Sequence, residues 1–166
     1  INNAGLAIKR RAEDLPLEDW QTIINVNLTG VFLMAQAVGR HMLERGSGSI
    51  VNISSIAGKT GLAGSSAYCA SKGGVDMLTK TLAVEWAGRG VRVNALAPAY
   101  TKTPLVKSIT DVRADFAERM VARTPMNRMA DPEEMVGTAI YLASRASSYV
   151  TGETVMVDGG WTAFGA

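Results

Sequence analysis

Cysteine and histidine are almost missing from this sequence, each occurring once, as Cys69 and His41. A lone cysteine excludes an internal disulfide and gives no sign of an oxidising compartment, so a cytoplasmic globular protein is the expectation. Excess charge of one sign is missing too. Lys and Arg number 17 against 15 Asp and Glu, and the basic residues are scattered, which leaves no electrostatic footprint for nucleic acid. No apolar run approaches the ~20 residues that span a bilayer. The opening "INNAGLAIKR" lacks the charged-then-apolar order of a signal peptide. Neither nucleic acid nor membrane is therefore expected as a partner. Repeats, low-complexity stretches and any G-x-G-x-x-G turn are absent as well.

What is present reads as one domain over residues 1–166, with 47% hydrophobic and 19% charged residues, long enough to bury a sizeable core. From Leu17 to about Arg45, Trp20, Ile24, Leu28, Val31, Ala35, Val38 and Met42 fall at helical spacing. "SIVNIS" (Ser49–Ser54) follows as a nearly continuous apolar run, the pattern of a strand buried on both faces of a parallel sheet. A second helix is predicted from Ser66 to Ala87, stopped by Gly88 and Gly90, and then a strand, "VRVNALA" (Val91–Ala97), closed by Pro98. Further helices are predicted around Asp111–Arg123 and from "DPEE" (Asp131–Glu134) to Ser144, and a last strand lies in "ETVMVDGG" (Glu153–Gly160). This alternation predicts an α/β layered sheet. With about three strands, one side of that sheet is expected to be an open edge.

Two segments between Ser54 and Lys72 compete as sites. "GKT" (Gly58–Thr60) looks like a phosphate loop, but a Walker loop needs a glycine five residues before the Gly-Lys, and Ile53 stands there. Lys59 is accordingly expected to be a solvated loop lysine. In "YCASK", Tyr68 and Lys72 are four apart at the start of the second helix and share a face. Ser55 lies just past the C-terminal end of the "SIVNIS" strand, where open α/β sheets bind ligands. An ammonium ~4 Å from a phenol, at an effective dielectric near 20, favours the phenolate by up to roughly 4 kcal/mol, about three pKa units. Tyr68 is thus expected to be a general acid or base, with Ser55 holding a carbonyl oxygen. Asn27, on the apolar stripe of the first helix, is a buried amide in need of partners and a candidate holder of a relay water.

With those residues the chain resembles the short-chain dehydrogenase/reductase family, from its first residue nearly to its last. "NNAG", "NVNLTGVF", "VNISS…YCASK", with thirteen positions from Ser55 to Tyr68, "RVNALAPAYTKTPL" and "YVTGETVMVDGG" follow one another in the family's order. The resemblance implies a Rossmann-like doubly wound parallel sheet of which this chain is the C-terminal part. It implies Asn27, Ser55, Tyr68 and Lys72 as catalytic residues, with no metal. Asn3, Ala4, Gly5, Tyr68, Lys72, Pro98, Ala99, Thr101 and Thr103 would meet the cofactor, NAD or NADP. Lys72 would lower the phenol's pKa. Where the family usually has Pro-Gly, this chain has Pro98-Ala99. The family's glycine turn, which holds the pyrophosphate at a helix N-terminus, is expected to lie before Ile1.

The activity so implied is hydride transfer between nicotinamide and a carbonyl or secondary alcohol, on a small ketone, sugar or polyol. A 3-oxoacyl thioester reductase is the alternative of the same class, and an inactive remnant that only packs against a partner is the rival of another class. A homotetramer, or a homodimer, is the expected assembly. His41 reads as a surface residue near a helix end, Cys69 as a packing residue, and Met120 and Met126 as candidates for lining a substrate flap.

Overall fold

The computed structural model describes residues 1–110 and 114–164. Three strands, β1 (Gly48–Ile53), β2 (Val91–Pro98) and β3 (Thr154–Val157), form a parallel sheet in that order. The register pairs Ile50 with Val93, Val51 with Asn94 and Ala95 with Thr154. Because side chains alternate along a strand, the sheet has two apolar faces. Ile50 and Val93 join Ala35, Leu82 and Ala83 on one, while Val51 and Leu96 meet Leu142 on the other. Helices therefore cover both faces, as the sequence predicts for a doubly wound sheet. The outer edge of β1 is open, as expected, apart from a single bridge that Asn2 makes with Asn52. The Asn2 N–H donates to the Val51 carbonyl (2.9 Å), and the Ile53 N–H to the Asn2 carbonyl (3.0 Å).

The first helical stretch consists of α1 (Leu17–Ile24), a π-helical turn (Asn25–Thr29) and α2 (Gly30–Arg45), continuous over 29 residues. By length and composition it is apolar enough to cross a membrane, contrary to the expectation from unbroken apolar runs. No residue from Gln21 to Gly39 is charged, and Asn, Thr and Gln merely interrupt the run. In the fold its buried row, Ile23, Asn27, Val31, Ala35 and Gly39, is an i, i+4 stripe turned inward. A Cβ on Gly39 would stand 2.6 Å from the Trp86 ring, so close packing against the next helix needs glycine there.

That next helix, α3 (Ser66–Trp86), crosses from β1 back to β2. Gly90, at φ +79°, makes the turn into β2. A Cβ there would stand 2.1 Å from the Gly46 carbonyl oxygen, and no side chain fits. Beyond β2 come α4 (Pro104–Thr110) and α5 (Ala114–Ala122). Of the helix expected around Asp111–Arg123, positions 111–113 lie outside the described residues. "DPEE" begins with a short 3-10 turn (Pro132–Met135) leading into α6 (Val136–Ala143). The Glu134 carboxylate accepts from the Asp131 N–H (2.9 Å) and holds Arg128 through two bonds of 2.6 and 2.7 Å.

Arg92, on β2, donates to the Leu142 and Ser144 carbonyls at the end of α6 (3.1 and 3.0 Å) and to the Val150 carbonyl (3.2 Å). One half-buried guanidinium thereby satisfies carbonyls that a helix end leaves without partners. It ties α6 and the approach to β3 against the sheet, and so fixes the far wall of the site described next.

Candidate active site

The C-terminal ends of β1 and β2 open onto a cleft of about 390 Å³, within the range of small-molecule sites. Ser55, Tyr68 and Lys72 line it together with Asn3, Gly5, Pro98, Ala99, Thr101 and Thr103. Of the candidate residues, only Ala4 and Asn27 do not line it. Pro132 and Met135 close the far wall, held by the Glu134 contacts. A second, smaller pocket of about 90 Å³ shares Ser55, Tyr68 and Ala99 and lies toward Ala7, Leu62, Ser65 and Tyr100. Ser55 and Tyr68 thus stand between two cavities, one large enough for part of a cofactor and one sized for a small substrate.

Ser55 is placed by the strand. It leaves β1 in extended backbone (φ −169°, ψ 161°), and its hydroxyl accepts from the Ala57 N–H at 3.1 Å, capping a single 3-10 turn. That turn, Ile56–Gly58, is where "GKT" begins. A Cβ on Gly58 would stand 2.5 Å from Asp76 Oδ2 and 3.0 Å from the Lys72 carbonyl oxygen. The glycine therefore lets the loop press on α3. Lys59 is not simply solvated, as expected from the sequence: its Nζ lies 3.5 Å from Asp76 Oδ2.

Lys72 is buried, and its Nζ donates to the Ile53 carbonyl at 2.7 Å, which leaves two further N–H donors on the ammonium. Burial pulls its pKa down to about 8, and the charge of Asp76 opposes that fall. The ammonium stands 5.7 Å from the centroid of the Tyr68 ring. Burial pushes the Tyr68 phenol up from its ordinary value, and the hydrogen bond from Ser55 pulls the other way. The expectation that Lys72 holds the phenol low is therefore corrected. The lysine is turned to Ile53, and desolvation outweighs attraction at that range. At neutral pH the resting site carries a protonated phenol beside a largely protonated lysine.

Asn27 is fully buried, and its amide is taken up by protein. Its Oδ1 accepts from the Leu6 N–H (2.9 Å), and its Nδ2 donates to the Leu6 carbonyl (2.9 Å) and to Ser71 Oγ (3.2 Å). Ser71 in turn donates to the Tyr68 carbonyl at 2.7 Å. The side chain thus bolts the segment after Gly5 to the first turn of α3, rather than presenting a free amide to a water. The π-helical turn around it, a feature common at functional sites, leaves no trace in the sequence periodicity. Ser71 and Asp76 were likewise not legible. Asp76 sits on α3 one turn past Lys72, with Oδ1 accepting from Thr154 Oγ1 (3.1 Å), and only the spacing of four from Lys72 hints at it.

Thr101 and Thr103 are set by the turn after β2. The Thr103 N–H donates to the Thr101 carbonyl (2.7 Å), and Thr101 pairs as a bridge with Ala130. Their hydroxyls, the Tyr68 phenol and the Lys72 ammonium give the large cleft polar anchors, among the apolar surfaces of Ile53, Pro98, Leu105 and Val106. Such a lining suits a flat heteroaromatic amide and its ribose. Ala99 borders both cavities.

Comparison with known proteins agrees with this geometry. A sequence-family profile described as enoyl-(acyl carrier protein) reductase matches residues 1–162. The chain is 47% identical over 161 residues to 2-dehydro-3-deoxy-D-gluconate 5-dehydrogenase of Bacillus subtilis, covering 97% of this chain and 63% of that protein. It is 43% identical over 160 residues to a 3-oxoacyl-[acyl-carrier-protein] reductase of Thermotoga maritima, covering 96% of this chain and 64% of that one. It superposes with a TM-score of 0.96 on a gluconate 5-dehydrogenase from Burkholderia cenocepacia in complex with NADP and tartrate, at 42% identity, covering 99% of this chain and 64% of the other. The chain spans less than two thirds of the length of these relatives. The chain belongs to the short-chain dehydrogenase/reductase family.

Proposed function

We propose that this chain carries the proton-handling half of an NAD- or NADP-dependent oxidoreductase that interconverts a carbonyl and a secondary alcohol on a small sugar or polyol. The observation that carries this reading is the convergence of Ser55, Tyr68 and Lys72 on one cleft, with Ser55 and Tyr68 also lining the smaller pocket beside it. When bound, the nicotinamide supplies or accepts the hydride. The chain's own groups hold the substrate and move the proton.

In reduction, the Tyr68 phenol donates its proton to the substrate oxygen as the C=O bond becomes CH–OH, and in oxidation the phenolate takes that proton back. Its raised pKa keeps the proton available at neutral pH, which suits the reductive direction. The Ser55 hydroxyl donates to the same oxygen as charge develops there. Lys72, fixed by the Ile53 carbonyl, offers its remaining N–H groups to the ribose side of the cleft. Thr101, Thr103 and the backbone at Pro98 and Ala99, which line the same cleft, would hold the carboxamide of the cofactor. Asn3 and Gly5, which line the cleft, would meet the ribose and adenosine part of the cofactor, and Ala4 between them in sequence belongs to the same segment. Asn27 acts through Leu6 and Ser71 as a positioning residue.

A ketoreductase acting on 3-oxoacyl thioesters is the second reading, favoured by the 43% identity to the Thermotoga maritima reductase. Both readings are tested by following NADH and NADPH consumption with keto-sugars, keto-aldonates and a 3-oxoacyl thioester. Turnover of the sugar compounds alone supports the first reading, and turnover of the thioester alone supports the second. A folded protein that neither binds cofactor nor turns over any of them would make it a structural remnant. The assembly we propose is a homotetramer or homodimer in the cytoplasm. Phe32, Leu33, Met34 and Val38 on α2 and Met77 and Val84 on α3 are exposed apolar residues that an oligomer would cover. Sedimentation as a monomer at micromolar concentration would refute that assembly.

A further inference from the structure

The small pocket beside Tyr68 opens outward past Leu62 and Tyr100 into a hollow of about 530 Å³. Its floor is aromatic. Tyr100 meets Phe116 and Trp161 edge-on at 5.6 and 5.2 Å between ring centroids. Its rim is basic: Lys9, whose Nζ lies 4.1 Å from the centroid of the Phe116 ring, lines it with Arg10, Arg11, Arg119 and Arg123, and among the described residues no Asp or Glu does. Three of these arginines already face carboxylates, Arg10 with Asp19 at 3.8 Å, Arg11 with Glu13 at 3.7 Å and Arg119 with Asp115. Arg123 is different. Its guanidinium lies 4.9 Å from the centroid of the buried Trp161 ring, and among the described residues no carboxylate pairs with it.

We infer that the hollow is an anion subsite in which Arg123, seated on Trp161, receives the carboxylate of a sugar acid whose reacting carbon lies at Tyr68. A guanidinium packed over an aromatic ring keeps N–H groups with which it can grip a carboxylate in a two-bond fork. One cation without a partner matches a monoanion, whereas a phosphate dianion calls for more than one. Between Arg123 and Tyr68, the small pocket offers the hydroxyls of Ser55, Ser65 and Tyr100 to the hydroxyls of such a chain. The charge of Arg123 reaches inward, where it opposes the upward push of burial on the Tyr100 phenol. The inference deepens the oxidoreductase reading and rests on it for the identity of the reacting carbon. It separates an aldonic or keto-aldonic acid from an uncharged polyol.

The test is equilibrium binding to the protein with NADP+ present, read by tryptophan fluorescence, with D-gluconate and galactitol as probes and acetate and inorganic phosphate as competitors. Wild type is expected to bind D-gluconate more tightly than galactitol, with an affinity that falls as salt is raised. Arg123→Gln is expected to weaken D-gluconate about 10-fold, the scale of one charged hydrogen-bonded pair at a partly exposed site, and to leave galactitol unchanged. Arg123→Lys, which keeps the charge and loses the fork, is expected to fall between the two. Equal affinity for D-gluconate and galactitol, or an Arg123→Gln protein within twofold of wild type, would overturn the subsite. Phosphate that competes more strongly than acetate would overturn the carboxylate assignment. Intact, Arg123-dependent D-gluconate binding in a protein that transfers no hydride to any ketone would support the subsite while refuting the oxidoreductase reading.

Discussion

Lys72 makes the stability of this fold depend on pH in a direction opposite to that of most lysines. In the unfolded chain its pKa is near 10.5, and burial in the cleft lowers it to about 8. Between those values the unfolded chain binds more protons than the native one, so stability rises with pH. The full shift corresponds to about 3 kcal/mol of destabilisation at low pH, on the scale of 1.36 kcal/mol per unit. Part of this is recovered as the buried ammonium loses its proton. Between pH 7 and pH 9.5, two-state linkage gives a gain of about 2 kcal/mol. The Lys72→Met chain lacks that titration and isolates it from every other group. It also leaves the Ile53 carbonyl without its donor, a loss that does not vary with pH. Urea unfolding of both proteins at pH 7, 8, 9 and 9.5 measures the difference. Wild type should gain about 2 kcal/mol relative to Lys72→Met over that range. A difference that stays flat, or shrinks as pH rises, would refute a depressed lysine. Tyr68 stays out of this window: its raised pKa removes stability only above about pH 10, where the unfolded phenol ionises first.

Two further perturbations follow from the same contacts. Asn27→Ala strips the Leu6 N–H and carbonyl of their partners and should cost about 3 kcal/mol, at 1–3 kcal/mol per orphaned buried group, read from the urea midpoint. A loss under about 1 kcal/mol would mean that water or a rearranged Leu6 replaces the amide. Asp76→Asn removes the negative charge that opposes the fall in the Lys72 pKa, so the lysine should titrate below about 8, moving the stability rise to lower pH. An unmoved or upward-shifted rise would show that Asp76 and Lys72 are uncoupled.

The parts of the fold that the sequence made legible are those governed by local patterns. The nearly continuous apolar runs at Ile50–Ile53 and Val91–Ala97 identify strands buried on both faces, and Gly88 and Gly90 identify the turn out of the second predicted helix. The order of Asn27, Ser55, Tyr68 and Lys72 is local as well, and all but Asn27 reach one cleft. What was not legible depends on distance through space. The π-helical turn keeps the helical repeat of apolar residues, so periodicity passes over it. The partners of the Asn27 amide are a backbone 21 positions earlier and a hydroxyl 44 positions later. The pKa of Tyr68 depends on whether Lys72 turns toward it or toward Ile53, and spacing alone does not decide that. The basic hollow joins Arg10 and Arg11 to Arg119 and Arg123, which are too far apart in the chain to form a visible charge run.

The most direct test of the central claim is hydride transfer by the Tyr68→Phe protein, measured beside its affinity for NADPH. Removing one hydroxyl from a half-buried ring leaves the cleft walls in place, so NADPH affinity should stay within about threefold of wild type, less than 1 kcal/mol. Carbonyl reduction should fall by about 10²–10⁴, the contribution of a general acid. Reduction that survives within tenfold of wild type would contradict the account, and the proton would have to come from a group other than Tyr68.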